Sequence, residues 1–345
     1  MAYISFQPND YFNTKIYTGT GSSNALTGVG FQPDWTWIKV RSEANNHEIY
    51  DAVRGVTKRI YSDLTNAEDT NTAGLTAFGT DGFTVNTGGG VNGSSKTYVA
   101  WNWKANGSGS ANTDGSINST VSANTTSGFS IVKWVGTGAN ATIGHGLGVA
   151  PSLLISKNYG TATNWYVYHK SLGATKNVRL NLANASATET AVWNDTAPTN
   201  SVFSVGTNTS VNNSGDNTIT YCFAEKKGFS KFGSYIGNNS FDGTFVYTGF
   251  KPALVIVKHY LADSRNWVLL DNKRSSVGGS NPNDKWLYAN ENEVEANQAS
   301  NPTDFLSNGF KLRSNAGYTN NGSYIYMAFA EEPLVSSNGI PAVAE

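Results

Sequence analysis

Short apolar runs recur along the chain and are separated by stretches rich in Gly, Asn, Ser and Thr. Three of these runs follow a proline and end in a lysine six residues after it. They are Asp34–Lys39 after Pro33, Ser152–Lys157 after Pro151 and Ala253–Lys258 after Pro252. Nearly continuous apolar runs of this length, bounded by turn residues, are typical of strands with both faces covered. Proline is tolerated where a strand begins, so the pattern predicts strands.

Further segments recur in the same order after each proline strand. The second strands are His47–Asp51, Trp165–His169 and Trp267–Asp271. The closing strands are Tyr98–Trp101, Thr220–Phe223 and Tyr326–Phe329. The three prolines lie 118 and 101 residues apart, which is the size of a small sandwich domain. The sequence therefore predicts an all-β fold of tandem β-sandwich domains, jelly-roll or lectin-like, formed by three internal repeats.

The repeats suggest domain boundaries. A stretch of Gly, Ser, Asn and Thr between the first two repeats predicts a flexible linker, because such a composition offers little apolar surface to bury. The predicted parts are an N-terminal anchoring segment 1–16, repeats at 17–104, 129–228 and 229–333, a linker at 105–128 and a C-terminal tail at 334–345.

Composition removes several functional classes. Charged residues make up 14% of the chain and the net charge is −1, so no electrostatic argument favours nucleic acid or an anionic membrane. The single cysteine, Cys222, excludes an intramolecular disulfide. The N-terminal residues lack the basic and apolar regions of a signal peptide, and we expect synthesis in a cytoplasm without one.

Candidate chemistry is sparse. A lysine and an Asp or His recur in the repeats: Lys39 with Asp51, Lys157 with His169 and Lys258 with Asp271. We expect cross-strand structural pairs here, since an active site seldom triplicates with a changed residue type. The four histidines, His47, His145, His169 and His259, do not fall at metal-ligand spacing.

Two further features have structural explanations. Cys222 aligns with Ala100 and Ala328 and is expected to be a buried thiol. The segment Gly88–Lys96 lacks phosphate-loop spacing and is interpreted as a long hairpin turn. The sequence therefore predicts no catalytic, cofactor-binding or metal-ligating residue, and no cofactor.

Aromatic residues are the candidate contact residues. Trp103, Trp193, Trp286 and Tyr318 fall outside the repeated apolar positions or beside polar loops. Exposed rings with nearby Asn and Asp suit sugar binding, although rings that pack a loop against a core give the same pattern. The preferred ligand or partner contact is the set Trp286, Tyr288, Asn283 and Asp284. The candidate anchoring residues near the N-terminus are Phe6, Tyr11 and Phe12.

Several segments resemble virion proteins of tailed phages of marine bacteria, a tail-fibre-like family with a domain of unknown function. The segments are Tyr17–Gly21, Gly144–Pro151, Val192–Pro198, Tyr221–Tyr235, Val246–Pro252, Asp304–Phe310 and Tyr326–Glu331. The resemblance implies a structural protein located on the virion, as a tail fibre, a tail-associated part or a capsid decoration. It also implies other virion proteins as partners and a homo-oligomer, with a trimer as the default.

Three functions compete on this basis. The first is a non-enzymatic virion structural protein that contributes to host attachment. The second is a lectin-like module that binds a host surface glycan. The third is a glycan-cleaving tailspike, which would need two carboxylates facing each other in a groove. No such pair falls in a repeated strand, so we expect no enzyme.

Overall fold

A computed structural model describes residues 7–276 and 281–332, and within these ranges the chain is all-β. The predicted fold class is confirmed. Helical structure in the described ranges is confined to a 3-10 turn at Pro8–Asp10 and to three single-turn helices. These helices are α1 (Gly89–Asn92), α2 (Thr190–Trp193) and α3 (Thr209–Asn212).

The strands fall into three units, at residues 12–103, 110–223 and 230–330. The first unit contains β1 (Phe12–Thr18), β2 (Asn24–Thr27), β3 (Trp35–Val40), β4 (Glu48–Asp51), β5 (Lys58–Arg59), β6 (Asp69–Thr70), β7 (Leu75–Gly79), β8 (Gly82–Val85) and β9 (Thr97–Trp103). The second contains β10 (Ser110–Asn112), β11 (Ser119–Asn124), β12 (Phe129–Val135), β13 (Ala141–Gly144), β14 (Leu153–Asn158), β15 (Tyr166–His169), β16 (Lys176–Arg179), β17 (Ala187–Thr188), β18 (Val202–Val205) and β19 (Asn217–Phe223). The third contains β20 (Ser230–Ile236), β21 (Phe245–Tyr247), β22 (Pro252–His259), β23 (Val268–Asp271), β24 (Lys285–Tyr288), β25 (Ala296–Asn297), β26 (Thr303–Leu306), β27 (Gly309–Leu312) and β28 (Ser323–Ala330).

Each unit has an inner sheet and a smaller outer sheet. The inner sheets contain the strand orders β1-β9-β3-β4, β12-β19-β14-β15-β16 and β20-β28-β22-β23-β24. The outer sheets are β2-β8-β7, β13-β18 and β21-β27-β26. The closing strands are β9, β19 and β28. Each lies between the strand that precedes it in these orders (β1, β12 or β20) and the proline strand (β3, β14 or β22), and all these pairs are antiparallel. The same pairing order is thus used three times.

The proline strands are apolar on both faces because each face is covered by different structure. In β3, Trp35 and Trp37 point to a central core, while Ile38 and Val40 pack under the outer sheet of the first unit. The other two proline strands alternate in the same way. A side-chain period of two along a strand separates these two faces.

The central core is shared by all three units. Trp35 of the first unit stacks on Tyr221 of the second, with ring centroids 4.5 Å apart. Trp103 lies 5.4 Å from Phe329 of the third unit, and Phe223 lies 5.5 Å from the same ring. Such aromatic contacts stabilise a core beyond their buried area. The units are therefore joined through one apolar core.

Hydrogen bonds between neighbouring units close a ring. The buried lysine of each proline strand donates to a backbone carbonyl of the preceding unit, taken cyclically. The donor and acceptor pairs are Lys39 to Asn292 at 3.4 Å, Lys157 to Thr65 at 3.2 Å and Lys258 to Ala183 at 3.1 Å. The same carbonyls also accept from backbone amides, namely those of Asn45, Thr163 and Arg265. The first unit thus contacts the third, the second contacts the first, and the third contacts the second.

A ring nitrogen reinforces each junction at the start of the second strand. The contacts are His47 Nε2 to the Tyr288 carbonyl at 3.0 Å, Trp165 Nε1 to that of Tyr61 at 2.8 Å, and Trp267 Nε1 to that of Arg179 at 2.9 Å. Because equivalent positions make equivalent contacts at all three junctions, the ring has approximate threefold symmetry.

The strand register corrects part of the sequence alignment. The three lysines occupy the same position, opposite Val99, Ile219 and Ile325. In the closing strands, however, Trp103 is the residue equivalent to Phe223 and Phe329, since each faces the second residue after the proline. Cys222 therefore corresponds to Asn102 and Ala328, and the expected match with Ala100 is wrong by two residues.

The predicted linker contains strands. β10 and β11 lie within 105–128 and extend the inner sheet of the second unit in the order β10-β11-β12. Val121 and Ser122 are buried there. The expectation of a flexible linker is therefore wrong for these strands, because backbone pairing at a sheet edge stabilises a polar segment that composition alone assigns to a linker. The other domain boundaries stay predictions.

The predicted anchoring residues have different positions. Phe12 begins β1 and is fully buried, with its ring 5.5 Å from that of Phe329. It is part of the central core, where it packs against the third unit as expected for an anchoring residue. Tyr11 is half-buried, with the Lys104 ammonium 5.7 Å from its ring, and Phe6 lies outside the described residues.

Candidate functional site

The predicted contact residues of the third unit do not form an exposed surface. Trp286, Asn283 and Asp284 are buried, with exposed fractions of 1%, 2% and 4%. Trp286 lies in β24 and packs against the rings of Tyr288 and Tyr318. Trp286 was expected beside a polar loop, whereas it lies on a strand of the inner sheet, and all three side chains are buried, so the predicted contact is wrong for these three residues. Tyr288 itself is half-buried.

The other singled-out aromatic residues also pack inward. Trp103 and Trp193 are buried, and Tyr318 is half-buried beneath the guanidinium of Arg265. These rings therefore pack against a core, which was the alternative to sugar binding.

The recurring lysine and the recurring Asp or His are not paired across a hairpin. Asp51 faces Trp35, four positions before Lys39 on β3, and His169 and Asp271 face the corresponding residues. Four residues of strand separate the two positions by about 13 Å. The expected cross-strand pair is therefore wrong, and the two positions have separate structural roles.

Asp51 and Asp271 each form a buried ion pair that connects two units. Asp271 binds the Arg274 guanidinium at 2.6 Å and accepts a hydrogen bond from Trp101 Nε1 of the first unit at 2.9 Å. Asp51 binds Arg54 at 2.5 Å and accepts from the Tyr221 hydroxyl of the second unit at 2.8 Å.

Each buried arginine also reaches a second carboxylate. Arg54 binds Glu68 at 3.1 Å, and Arg274 binds Glu295 at 2.8 Å. Burial disfavours the charged guanidinium of Arg274, but Asp271 and Glu295 outweigh it and raise the pKa of that arginine. Each network therefore combines one buried guanidinium with two carboxylates.

The third copy of this position is His169, and its neighbour explains the change of residue type. The residue of the third unit equivalent to Trp101 and Tyr221 is Met327, which has no hydrogen-bond donor. His169 Nε2 lies 3.2 Å from the Tyr326 carbonyl, and its Nδ1 accepts from the Ser171 amide. Burial lowers the pKa of His169 to about 4, so the imidazole is neutral and donates through Nε2. The recurring position therefore carries an accepting carboxylate where the neighbouring unit presents a Trp or Tyr donor, and a donating histidine where the neighbouring unit presents a carbonyl.

The buried lysines are a further set of structural groups. Lys157 Nζ is within hydrogen-bond distance of the carbonyls of Thr65, Asn158 and Thr161 and of the Thr163 hydroxyl. Burial lowers the pKa of Lys157 and of Lys258 to about 7, and that of Lys39 to about 8.

These lysines predict a pH dependence of stability. Because their pKa values are lower in the folded chain than in the unfolded chain, the unfolded chain binds more protons between about pH 7 and pH 10. The free energy of unfolding is therefore expected to rise with pH in this window. Thermal unfolding followed from about pH 7 to about pH 8.5, below the range in which the tyrosines and most of the Cys222 thiol ionise in the unfolded chain, should show a rising Tm. The variant Lys157→Met should show a smaller rise, and a Tm that falls or stays constant in the wild-type protein would contradict the assignment.

The remaining candidate groups are also engaged in the fold. Cys222 is fully buried, and burial raises the pKa of its thiol. His145 contacts the Thr199 carbonyl through Nε2 at 3.1 Å, and His259 Nδ1 accepts from the Ala262 amide. Within the described ranges, no group of three or more His, Cys, Asp or Glu side chains is placed to hold a metal ion.

The segment Gly88–Lys96 differs from the expected hairpin turn. It contains α1 and connects the outer strand β8 to the inner strand β9. Asn92 is the last residue of α1. Its side chain donates to the carbonyls of Ser22 and Asn86 and accepts from the Thr20 amide. Asn212 and Asn320 make the corresponding contacts in the other units. Sequence reasoning missed these asparagines, although an Asn before each closing strand was a visible signal.

Four large apolar side chains on or near β20 and β21 are exposed to solvent. Ile236 is 76% exposed, Phe241 66%, Phe245 42% and Tyr247 60%. Phe245 and Tyr247 alternate with the buried Val246 on β21, so their rings project from the same face of the strand.

A groove lies beside Tyr247. It has a volume of about 390 Å³ and is lined by Glu225, Lys227, Gly228, Ser230, Lys231, Tyr247, Thr248 and Gly249. Lys231 binds the Glu225 carboxylate at 2.7 Å, and Lys170 binds it from the other side. Burial favours the neutral acid, but the hydrogen bonds from both lysines outweigh it and lower the pKa of Glu225. Glu225 is thus an ionised carboxylate that two lysines bind.

Comparison with known families gives one relationship. A family model described as a domain of unknown function (DUF7483) matches residues 7–333. The chain belongs to this family. The match spans all three units, so the DUF7483 domain corresponds here to the whole ring. No curated protein and no solved structure matches the chain.

The helices give no membrane span. In the part of the chain that the structure describes, none of them is long and apolar enough to cross a membrane.

Proposed function

We propose that the protein is a non-enzymatic structural component of a bacteriophage particle, as a tail fibre, a tail-associated part or a capsid surface appendage, and that it contributes to host attachment. The observation that carries the proposal is the closed ring, in which recurring buried polar groups connect units around one core. A body of this kind can present a surface without changing shape.

The titratable side chains that recur in the units support a structural role. Asp51 and Asp271 are committed to buried arginines, His169 to a backbone carbonyl and the lysines to junction carbonyls. An enzyme keeps its reactive groups within reach of a substrate. Here these groups have exposed fractions of at most 2%, so they stabilise the fold.

The virion location is supported by the resemblance to tailed-phage virion proteins. One of the resembling segments, Tyr221–Tyr235, contains residues that line the groove of the third unit.

A lectin-like, glycan-binding module is the second candidate. The exposed rings of Phe245 and Tyr247 favour it, because an apolar ring face beside polar groups suits a sugar. The two candidates are compatible, since an appendage can bind a glycan.

Localisation on the particle tests the proposal. Gold-labelled antibodies against the purified protein should decorate the tail or the capsid of phage particles that encode it. Particles without label, from a lysate that contains the free protein, would contradict a virion role. Release of sugar or acetate from host envelopes by the purified protein would overturn the non-enzymatic assignment.

A further inference from the structure

We infer that Asp63 makes closure of the ring depend on pH: its protonated side chain supports the junction of the first and third units, and its ionised side chain weakens that junction. The inference goes beyond the proposed function, because it concerns what controls the ring wherever the protein acts. It rests on three observations, namely the position of Asp63, the residues at the equivalent positions of the other units and the burial of its carboxyl group.

Asp63 supports a contact between units. Its Oδ1 accepts a hydrogen bond from the His47 amide at 3.1 Å, and the His47 ring reaches the Tyr288 carbonyl of the third unit at 3.0 Å. Lys39, which donates to the Asn292 carbonyl of the third unit at 3.4 Å, acts electrostatically on the same carboxyl group. A change in the charge of Asp63 therefore acts on two groups through which the first unit contacts the third.

Asparagine occupies the equivalent position in the other two units. Asn181 and Asn290 each accept from the backbone amide at the start of their own second strand, at 2.9 and 2.8 Å. Their Nδ2 groups also donate to the side-chain oxygens of Asn164 and Asn266, both at 2.8 Å. In two of the three units, the position thus holds a side chain that accepts one hydrogen bond and donates another.

Asp63 can act in both ways only as a carboxylic acid. Asn46 precedes His47 in the first unit, as Asn164 and Asn266 precede the second strands of the other units. An ionised carboxylate only accepts hydrogen bonds, whereas the neutral acid has one O–H donor. The protonated side chain can therefore accept from the His47 amide and donate to Asn46, as the two asparagines do at their own positions.

The surroundings of Asp63 favour the neutral acid. Its exposed fraction is 9%, and none of the ion pairs in the described ranges includes it. Burial raises the pKa of its carboxyl group to about 7, with the His47 amide and Lys39 acting in the opposite direction and Glu291 of the third unit in the same one. His47 and Tyr61 are neutral near this pH, because burial lowers the pKa of the imidazole and raises that of the phenol to about 12. Lys39, whose pKa burial lowers to about 8, loses its charge at a higher pH than Asp63 gains one.

Ionisation of Asp63 costs stability, because a buried carboxylate without a bound cation is unfavourable. The folded chain keeps the proton of Asp63 until about pH 7, whereas the unfolded chain releases it at about pH 4. The contribution of the protonated side chain to stability is therefore complete below about pH 4 and is lost as the pH rises to about 7. The loss falls on the His47 amide and on the contacts that His47 makes with the third unit.

Asp63→Asn places the residue of the other two units in the first unit and removes the titrating group. Thermal unfolding of the full-length variant and of the wild-type protein is compared from about pH 5 to about pH 8. Because all other titrating groups are shared, the difference in Tm isolates Asp63. The variant should have the higher Tm, by a margin that grows from about pH 5 to about pH 7, reaches a few °C and then stays constant. A margin that is the same at every pH would overturn the inference, because it would mean that the amide of Asn46 turns to donate to an ionised Asp63.

Asn181→Asp is the matched variant in the second unit. It introduces a carboxyl group in place of an amide, and its Tm should fall below that of the wild-type protein by a margin that grows over the same pH range. A deficit that does not change with pH would show that this position does not bind a proton and would overturn the inference.

Nuclear magnetic resonance of the wild-type protein tests the inference without relying on the stability of a variant. The carboxyl carbon of Asp63 should titrate at about pH 7. Protection of the His47 amide against exchange should decrease over the same range relative to that of the Trp267 amide, which Asn290 holds. Titration of the carboxyl carbon at about pH 4, or parallel protection of the two amides, would contradict the inference.

Discussion

Replacing Asp271 with alanine is expected to destabilise the protein by about 3 to 5 kcal/mol, which is the usual effect of removing one partner of a buried ion pair. Arg274 is 2% exposed and loses the carboxylate bound at 2.6 Å. Trp101 of the first unit loses its acceptor at the same time. Denaturant unfolding of the variant and of the wild-type protein measures the difference in the free energy of unfolding.

His169→Ala is the matched control at the equivalent position. Its imidazole is neutral, so its loss removes the hydrogen bonds to the Tyr326 carbonyl and from the Ser171 amide but leaves no buried charge, and a loss of about 1 to 3 kcal/mol is expected. The double variant Asp271→Ala with Arg274→Met should recover part of the stability, because it also removes the buried guanidinium that has lost one of its two carboxylates. A loss below about 1 kcal/mol in Asp271→Ala would show that the ion pair does not stabilise the ring.

A fragment that ends at residue 225 is expected not to fold into a stable, cooperative structure. The third unit covers the inner sheets of the other two through Phe232, Phe329 and Leu254. Its removal also takes away the Asn292 carbonyl that accepts from Lys39. Near-ultraviolet circular dichroism and amide exchange should show loss of fixed packing, whereas a fragment with native-like protection would show that the first two units fold independently.

The strands of the core could be predicted from the sequence because the apolar runs are long and their spacing repeats. Trp35–Lys39 and its two counterparts are strands with both faces buried. What covers the inner face could not be predicted, since the contacts join residues far apart in the chain. Asp51 meets Tyr221, and Asp271 meets Trp101, each across 170 positions.

The same distance explains why the role of His169 could not be predicted. Its residue type depends on Met327 in another unit, and nothing near His169 in sequence indicates that neighbour. Similarly, Trp286 was expected beside a polar loop because Asn and Asp precede it. It packs against Tyr318, which lies 32 positions later in the chain. Tertiary contacts decided both cases.

The exposed rings of β21 could have been found from the repeat itself. Phe245 and Tyr247 alternate with Val246 as in any strand, so the local pattern was uninformative. A comparison of the three units position by position places Ala25 and Thr27 at the positions of these rings and singles them out. The contact between Lys170 and Glu225 required the fold, because the two residues are 55 positions apart in the chain.

Differential scanning calorimetry of the full chain tests most directly the claim that the three units form one body around a shared core. The ring predicts a single transition whose calorimetric and van't Hoff enthalpies agree, as expected for a cooperative unit. It also predicts that Asp271→Ala lowers the temperature of the whole transition. Two or three separate transitions, or a variant that shifts only one of them, would contradict the shared core and would support independent domains.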